Sequence, residues 1–140
     1  MGRICCLAGI DKNLAPMFSA AFEAAGELPT ASIARLDVSE LGKLVPNVLV
    51  CDIDTLERDS LELLRQIRFV LPECLIAVYT GSTERSWIRE CHLAGANCLL
   101  SKNSDERQLS KGLRGALKSG CYTDPRFAER SLVTPLRDAG

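Results

Sequence analysis

The chain alternates short, uninterrupted apolar runs with stretches whose apolar residues recur every three or four positions. Ile4-Cys5-Cys6-Leu7-Ala8 is apolar throughout and predicts a buried strand. From about Asn13 to Ala25, Leu14, Phe18 and Phe22 fall at i, i+4 and i+8. That spacing predicts a helix with Asn13 as cap and Pro16 tolerated in its first turn, closed by Gly26 and Pro29. Thr30 to Leu36 reads as a mixed strand and Val38 to Leu44 as a short helix before Pro46. Val48-Leu49-Val50-Cys51 is again continuously apolar and ends in Asp52-Ile53-Asp54. A helix from roughly Asp59 to Leu71 places Leu61, Leu64, Ile67 and Leu71 on one face. Cys74 to Tyr79 predicts a further strand, ending at Thr80-Gly81-Ser82. Arg85 to Ala94 reads as a helix with Ile88 and Cys91 inward. Cys98-Leu99-Leu100 is the fifth strand and ends at Ser101-Lys102. Asn103 or Ser104 then caps a last helix carrying Leu109, Leu113 and Leu117 on one face.

Five strands alternating with five helices predict right-handed β-α-β crossovers and a parallel sheet covered on both faces, a three-layer α/β/α sandwich. The first, third, fourth and fifth runs are apolar throughout and are expected inside the sheet, whereas the mixed run Thr30 to Leu36 fits an edge. The pattern stops near Gly120. Cys121 to Pro125 reads as a turn-like exit and Arg126 to Gly140 as a polar, part-helical tail, so residues 1–120 form the expected domain and 121–140 a C-terminal tail.

Composition narrows this picture without changing it. At 140 residues, 46% hydrophobic and 25% charged, the chain suits one domain with one sizeable core. Seventeen basic against eighteen acidic residues leave no global drive toward nucleic acid or anionic lipid. No apolar run approaches the roughly 18 residues of a membrane helix. Met1-Gly2-Arg3 leads into the first strand with no signal-peptide layout, which points to a cytoplasmic protein. Of the seven cysteines, Cys5, Cys6, Cys51 and Cys98 lie inside apolar runs. The odd total, the lack of a C-x-x-C pair and the position of the single histidine, His92, beside Cys91 favour buried thiols over disulfides or a zinc site.

The chemistry sits where strands end. Asp52, Thr80 and Lys102 each follow an interior apolar run directly, and in a parallel sheet they converge on one edge. A carboxylate, a hydroxyl and an ammonium together make a phosphoryl site: acceptor, hydrogen-bond donor and positive charge. Singly, each has an ordinary role as a turn cap, a loop hydroxyl or a solvated lysine. Their joint placement outweighs those roles.

With these residues in place the sequence resembles the receiver domains of two-component response regulators. Pro46 to Asp52 looks like the family's third strand and phosphoacceptor, and Asp59-Ser60-Leu61-Glu62 falls where receivers read Asp-Gly-Leu-Glu. Val78-Tyr79-Thr80-Gly81-Ser82 looks like the fourth strand with its switch hydroxyl, and Ala94-Gly95-Ala96 to Lys102 like the segment running to the family's lysine. The resemblance covers about residues 3 to 120, and residues 120–126 are similar to the exit into the linker of LuxR-type transcription regulators. It implies a flavodoxin-like sheet in the order 2-1-3-4-5 and a non-enzymatic signalling role. It further implies a histidine kinase as phosphodonor to Asp52 with Mg2+ bound, Thr80 and Lys102 as phosphoryl contacts, homodimerisation as an option, and an output domain beyond the tail.

Two features of that pattern are missing here. The acidic pair that receivers carry after the first strand aligns with Gly9 and Ile10, neither of which supplies the oxygen that magnesium requires. Asp11 comes one residue late and suits a turn before the helix, and Asp54 is the other carboxylate at hand, so the expected metal set is Asp52, Asp54 and Asp11. The aromatic residue usual three positions before the lysine is Leu99. A pseudo-receiver that dimerises or docks partners without phosphate is therefore the competing reading. A phosphatase of the haloacid dehalogenase type, suggested by Asp52-Ile53-Asp54-Thr55-Leu56, fits worse. Its signature has one more residue before the threonine and belongs on the first strand. Nucleic-acid binding by this chain finds no support: the arginines stand beside acids, as in Glu62 with Arg65, Glu84 with Arg85, and Asp105 and Glu106 with Arg107. Arg85, Trp87 and Arg89 make at most a small patch on the fourth helix.

Overall fold

A computed structural model describes residues 4–26, 30–54, 59–82 and 84–127. Six parallel strands, β1 (Cys5–Ala8), β2 (Thr30–Ile33), β3 (Val48–Asp52), β4 (Leu75–Thr80), β5 (Cys98–Ser101) and β6 (Tyr122–Thr123), form one sheet in the order β2-β1-β3-β4-β5-β6. Five helices, α1 (Ala15–Ala24), α2 (Val38–Leu44), α3 (Ser60–Val70), α4 (Arg85–Ala94) and α5 (Glu106–Ser119), connect them.

Strand side chains alternate between faces, so each interior strand feeds two cores. Cys6, Leu49, Cys51, Ile76, Val78 and Leu99 pack under α2, α3 and α4 with Leu64, Ile67, Ile88 and Cys91. Cys5, Leu7, Val48, Val50, Ala77 and Leu100 pack under α1 and α5 with Phe18, Phe22, Leu109 and Leu113. Tyr79 belongs to the second core, where the Phe18 ring meets it edge-on at 5.8 Å. Six cysteines are buried, Cys74 and Cys91 among them, and Cys121 is exposed. Burial pushes the Cys74, Cys91 and Cys98 thiols up to about 12 and Cys6 to about 11.

Several elements differ in detail from the sequence expectation. The sixth strand was expected to be a turn-like exit. Two residues are too short to carry a periodic signal, but Tyr122 N–H donates to Asn97 O at 3.2 Å and Asp124 N–H to Leu99 O at 3.0 Å. That pairing makes β5 interior, as its apolar run predicts. Phe127, placed in the polar tail by pattern, is buried in the core under α2, α3 and α4; residues 128–140 lie outside the described ones. Asn13 does not cap α1. The Asp11 carboxylate captures Asn13 N–H at 2.7 Å, and the helix starts at Ala15 with Leu14 as an N-cap lacking a side-chain bond. Pro16 sits in the first turn as expected, and Pro29 lies outside the described residues. The cap of α5 is Asp105, which accepts from Gln108 N–H at 2.8 Å, because Ser104 is turned inward to donate to the buried Asp124 at 2.7 Å. β2 stops at Ile33, where Gly9 N–H closes the ladder onto Ile33 O, and Leu36 turns into the core instead.

Among the described residues no helix is long and apolar enough to cross a membrane.

Candidate functional site

The register sets the site. Asp52 lies opposite Tyr79 and Thr80 opposite Ser101, so Asp52, Thr80 and Lys102 meet at the carboxyl edge of adjacent strands. Lys102 Nζ lies 2.8 Å from Asp52 Oδ2 and 3.0 Å from Asp52 Oδ1. Their side chains are 29% and 12% exposed, so the pair is only partly screened. With an effective dielectric constant of about 20, such a pair is worth about 6 kcal/mol before desolvation is subtracted. The ammonium also stands 5.5 Å above the Tyr79 ring. The edge that the sequence predicted is assembled.

Asp54 is the fourth member of the site. Its N–H donates to Asp52 Oδ1 at 2.9 Å, the i to i+2 bond of an Asx turn. That turn folds its carboxylate back over the site. Thr80 Oγ1 donates to Asp54 Oδ1 at 2.7 Å, Gly81 N–H donates to Asp54 Oδ2 at 2.7 Å, and Lys102 Nζ lies 3.1 Å from Oδ2. Burial works against the Asp54 carboxylate, but the bonds from Thr80, Gly81 and Lys102, with the Lys102 charge, outweigh it and hold its carboxyl below the usual range. Burial likewise opposes the Lys102 charge, and the hydrogen bonds and charges of Asp52 and Asp54 raise the ammonium above an ordinary lysine value.

Of the expected magnesium ligands, Asp52 and Asp54 meet at the sheet edge on either side of Lys102. Asp11 spends its carboxylate on its own turn. Gly9 adopts a left-handed φ of +69, and Ile10 packs toward the core under α1 and α5. The oxygens of Asp52 and Asp54 already face Lys102, Thr80 and Gly81. Among the described residues no group of three or more His, Cys, Asp or Glu converges to hold a metal ion. Magnesium keeps several waters and takes only one or two carboxylates, so Asp52 and Asp54 are the residues that would hold it here.

Two further residues escaped the sequence reading. Gly81 contributes through its backbone N–H, which no side-chain pattern reveals. Arg68 looks like one more helix arginine, yet it donates to Gly95 O, Leu71 O, Pro72 O, Cys74 O and Asn97 Oδ1 at 2.6–3.2 Å, bracing the far edge of the sheet. Its signal was its place in the last turn of a helix running into Leu71-Pro72. The Glu62–Arg65 pairing expected on α3 is present at 3.3 Å. Trp87 is partly buried against the core under α2, α3 and α4, while Arg85 and Arg89 are exposed, the ordinary roles of a lone tryptophan and of surface arginines.

No protein-family model matches the chain, and no curated protein matches it. Solved structures do. A LuxR-family two-component response regulator from Aurantimonas sp. SI85-9A1 superposes with a TM-score of 0.71 at 20% identity, covering 97% of this chain and 99% of that one. The isolated REC domain of RcsB from Salmonella enterica serovar Typhimurium, in the presence of phosphomimetic BeF3-, gives 0.70 at 16% identity over 92% of this chain and 97% of that one. The chemotaxis protein CheY4 of Vibrio cholerae gives 0.64 at 18% identity over 82% and 98%. The chain thus has the flavodoxin-like fold of CheY-like receivers.

Proposed function

We propose that this chain is a receiver-type signalling domain in which Asp52 is the acceptor position for a phosphoryl group from a histidine kinase or small phosphodonor. The observation that carries the reading is the convergence of Asp52, Thr80 and Lys102 at one sheet edge, with Lys102 Nζ 2.8 Å from the acceptor carboxylate. In the transfer, an Asp52 oxygen forms a P–O bond as the bond between phosphorus and the donor's leaving group breaks, and the leaving group departs with the bonding pair. Lys102 neutralises charge on the phosphoryl oxygens, and the Thr80 hydroxyl donates to one of them. The domain relays that state through protein contacts, including self-association. Incubating the chain with acetyl phosphate and magnesium and measuring intact mass tests this. One added phosphoryl that vanishes in Asp52→Asn is expected, and an adduct that persists in that variant refutes the assignment.

One observation favours a second reading. Thr80, Gly81 and Lys102 are already satisfied by Asp54. A docking module independent of phosphorylation needs no more than this. Partner binding that is equal in wild type and Asp52→Asn marks this second reading as correct.

A further inference from the structure

We infer that the Asp54 carboxylate is an internal stand-in for a phosphoryl group, closing the donor set that a group on Asp52 would use. This rests on the reading of the Asp52 edge as a phosphoryl site. The donors come from separate places in the chain: the Thr80 hydroxyl at the end of β4, the Gly81 N–H beyond it, and the Lys102 ammonium beyond β5. One planar carboxylate meets all three, with Oδ1 taking Thr80 and Oδ2 taking Gly81 and Lys102, at 2.7, 2.7 and 3.1 Å. The two shorter contacts, from Thr80 and Gly81, have the lengths of charge-assisted bonds. Thr80 is fully buried, so its hydroxyl depends on an acceptor supplied by the protein or by a bound anion.

The carboxylate is held in place by the bond from Asp54 N–H to Asp52 Oδ1 at 2.9 Å. It therefore acts at the high effective concentration of a neighbour two residues along the chain. A phosphoryl group on Asp52 brings at least one further negative charge to the same donors, and two anions repel there. Asp54 must swing out before the group can be seated. Two consequences follow. Acceptance of phosphoryl is slowed by the fraction of molecules in which Asp54 is engaged. The groups that would report phosphorylation are also held, without it, as an anion holds them.

The full chain with Asp54→Ala, and with the milder Asp54→Asn as a folding safeguard, tests this in two ways. With acetyl phosphate, the initial rate of phosphoryl gain by intact mass is expected to rise about tenfold in Asp54→Ala, which corresponds to a site about nine-tenths self-occupied. An unchanged or slower rate overturns the inference. With inorganic phosphate against chloride at equal ionic strength, the Tm of Asp54→Ala is expected to rise while that of wild type stays put. Equal responses overturn it. If neither protein gains phosphoryl, Asp52 is not an acceptor and the earlier reading fails, while the phosphate arm still decides whether Asp54 fills an anion site.

Discussion

Replacing Arg68 by alanine removes a guanidinium that makes six hydrogen bonds to five oxygens. Three of those oxygens, Leu71 O, Pro72 O and Cys74 O, lie in the segment joining α3 to β4, and Gly95 O and Asn97 Oδ1 lie where α4 turns into β5. Asn97 Oδ1 also accepts from Ile76 N–H at 2.9 Å, so Arg68 steadies the group that sets the β4–β5 register. A hydrogen bond from a charged donor contributes about 1.5–3 kcal/mol. Six such bonds do not add, because they share one side chain and water replaces the outer ones. A loss of about 3 kcal/mol is the expected sum. Given an m-value of about 2 kcal/mol per molar urea, the midpoint falls by about 1.5 M. Arg65→Ala on the same helix is the control, since its pair with Glu62 joins side chains that are 55% and 54% exposed. It should shift the midpoint by less than about 0.3 M. Should Arg68→Ala unfold within about 0.3 M of wild type, the bracing role assigned to Arg68 is wrong.

Three further outcomes follow from local geometry. Val45 is a β-branched residue at φ +48, 60% exposed at the end of α2, so Val45→Asn should raise stability by about 0.5–1 kcal/mol in the same urea assay. In α5 a methyl at Gly112 would collide with the Tyr122 ring, whereas Gly115 has open space. Gly115→Ala should therefore gain up to about 1 kcal/mol from helix propensity and Gly112→Ala should lose about 1–2 kcal/mol, a divergence visible as opposite Tm shifts. The buried thiols also predict an alkaline limit. Cys6, Cys74, Cys91 and Cys98 rise from 9.0 to about 11–12 on folding. Their contribution is complete below pH 9, and the unfolded state loses those protons first, so stability falls as pH climbs from about 9 toward 12. Urea midpoints at pH 8 and pH 10 measure this, and native labelling at pH 8 should modify Cys121 ahead of the six buried thiols.

Much of this molecule was legible in the order of its residues. Uninterrupted runs such as Val48 to Cys51 identify interior parallel strands because both faces are covered, and strand ends in such a sheet share one edge by topology. Asp52, Thr80 and Lys102 each follow such a run directly, so the topology alone brings them together. What periodicity missed depends on single side chains turning one way or another. Ser104 faces the buried Asp124 instead of capping α5, Asp11 captures Asn13, and Tyr122–Thr123 joins the sheet over only two residues. Asp54 is the instructive case. The Asp-x-Asp spacing after a strand shows that an Asx turn is available, yet the direction of the second carboxylate depends on Gly81 and Thr80, which lie across the sheet.

The Asp54 carboxylate closes the donor set formed by Thr80, Gly81 and Lys102. The Gly81 amide proton reports it directly by NMR, because a short bond to a carboxylate moves that proton strongly downfield. The resonance is expected downfield in wild type and displaced well upfield in Asp54→Ala in phosphate-free buffer. A Gly81 amide that holds the same position in both proteins would contradict the account.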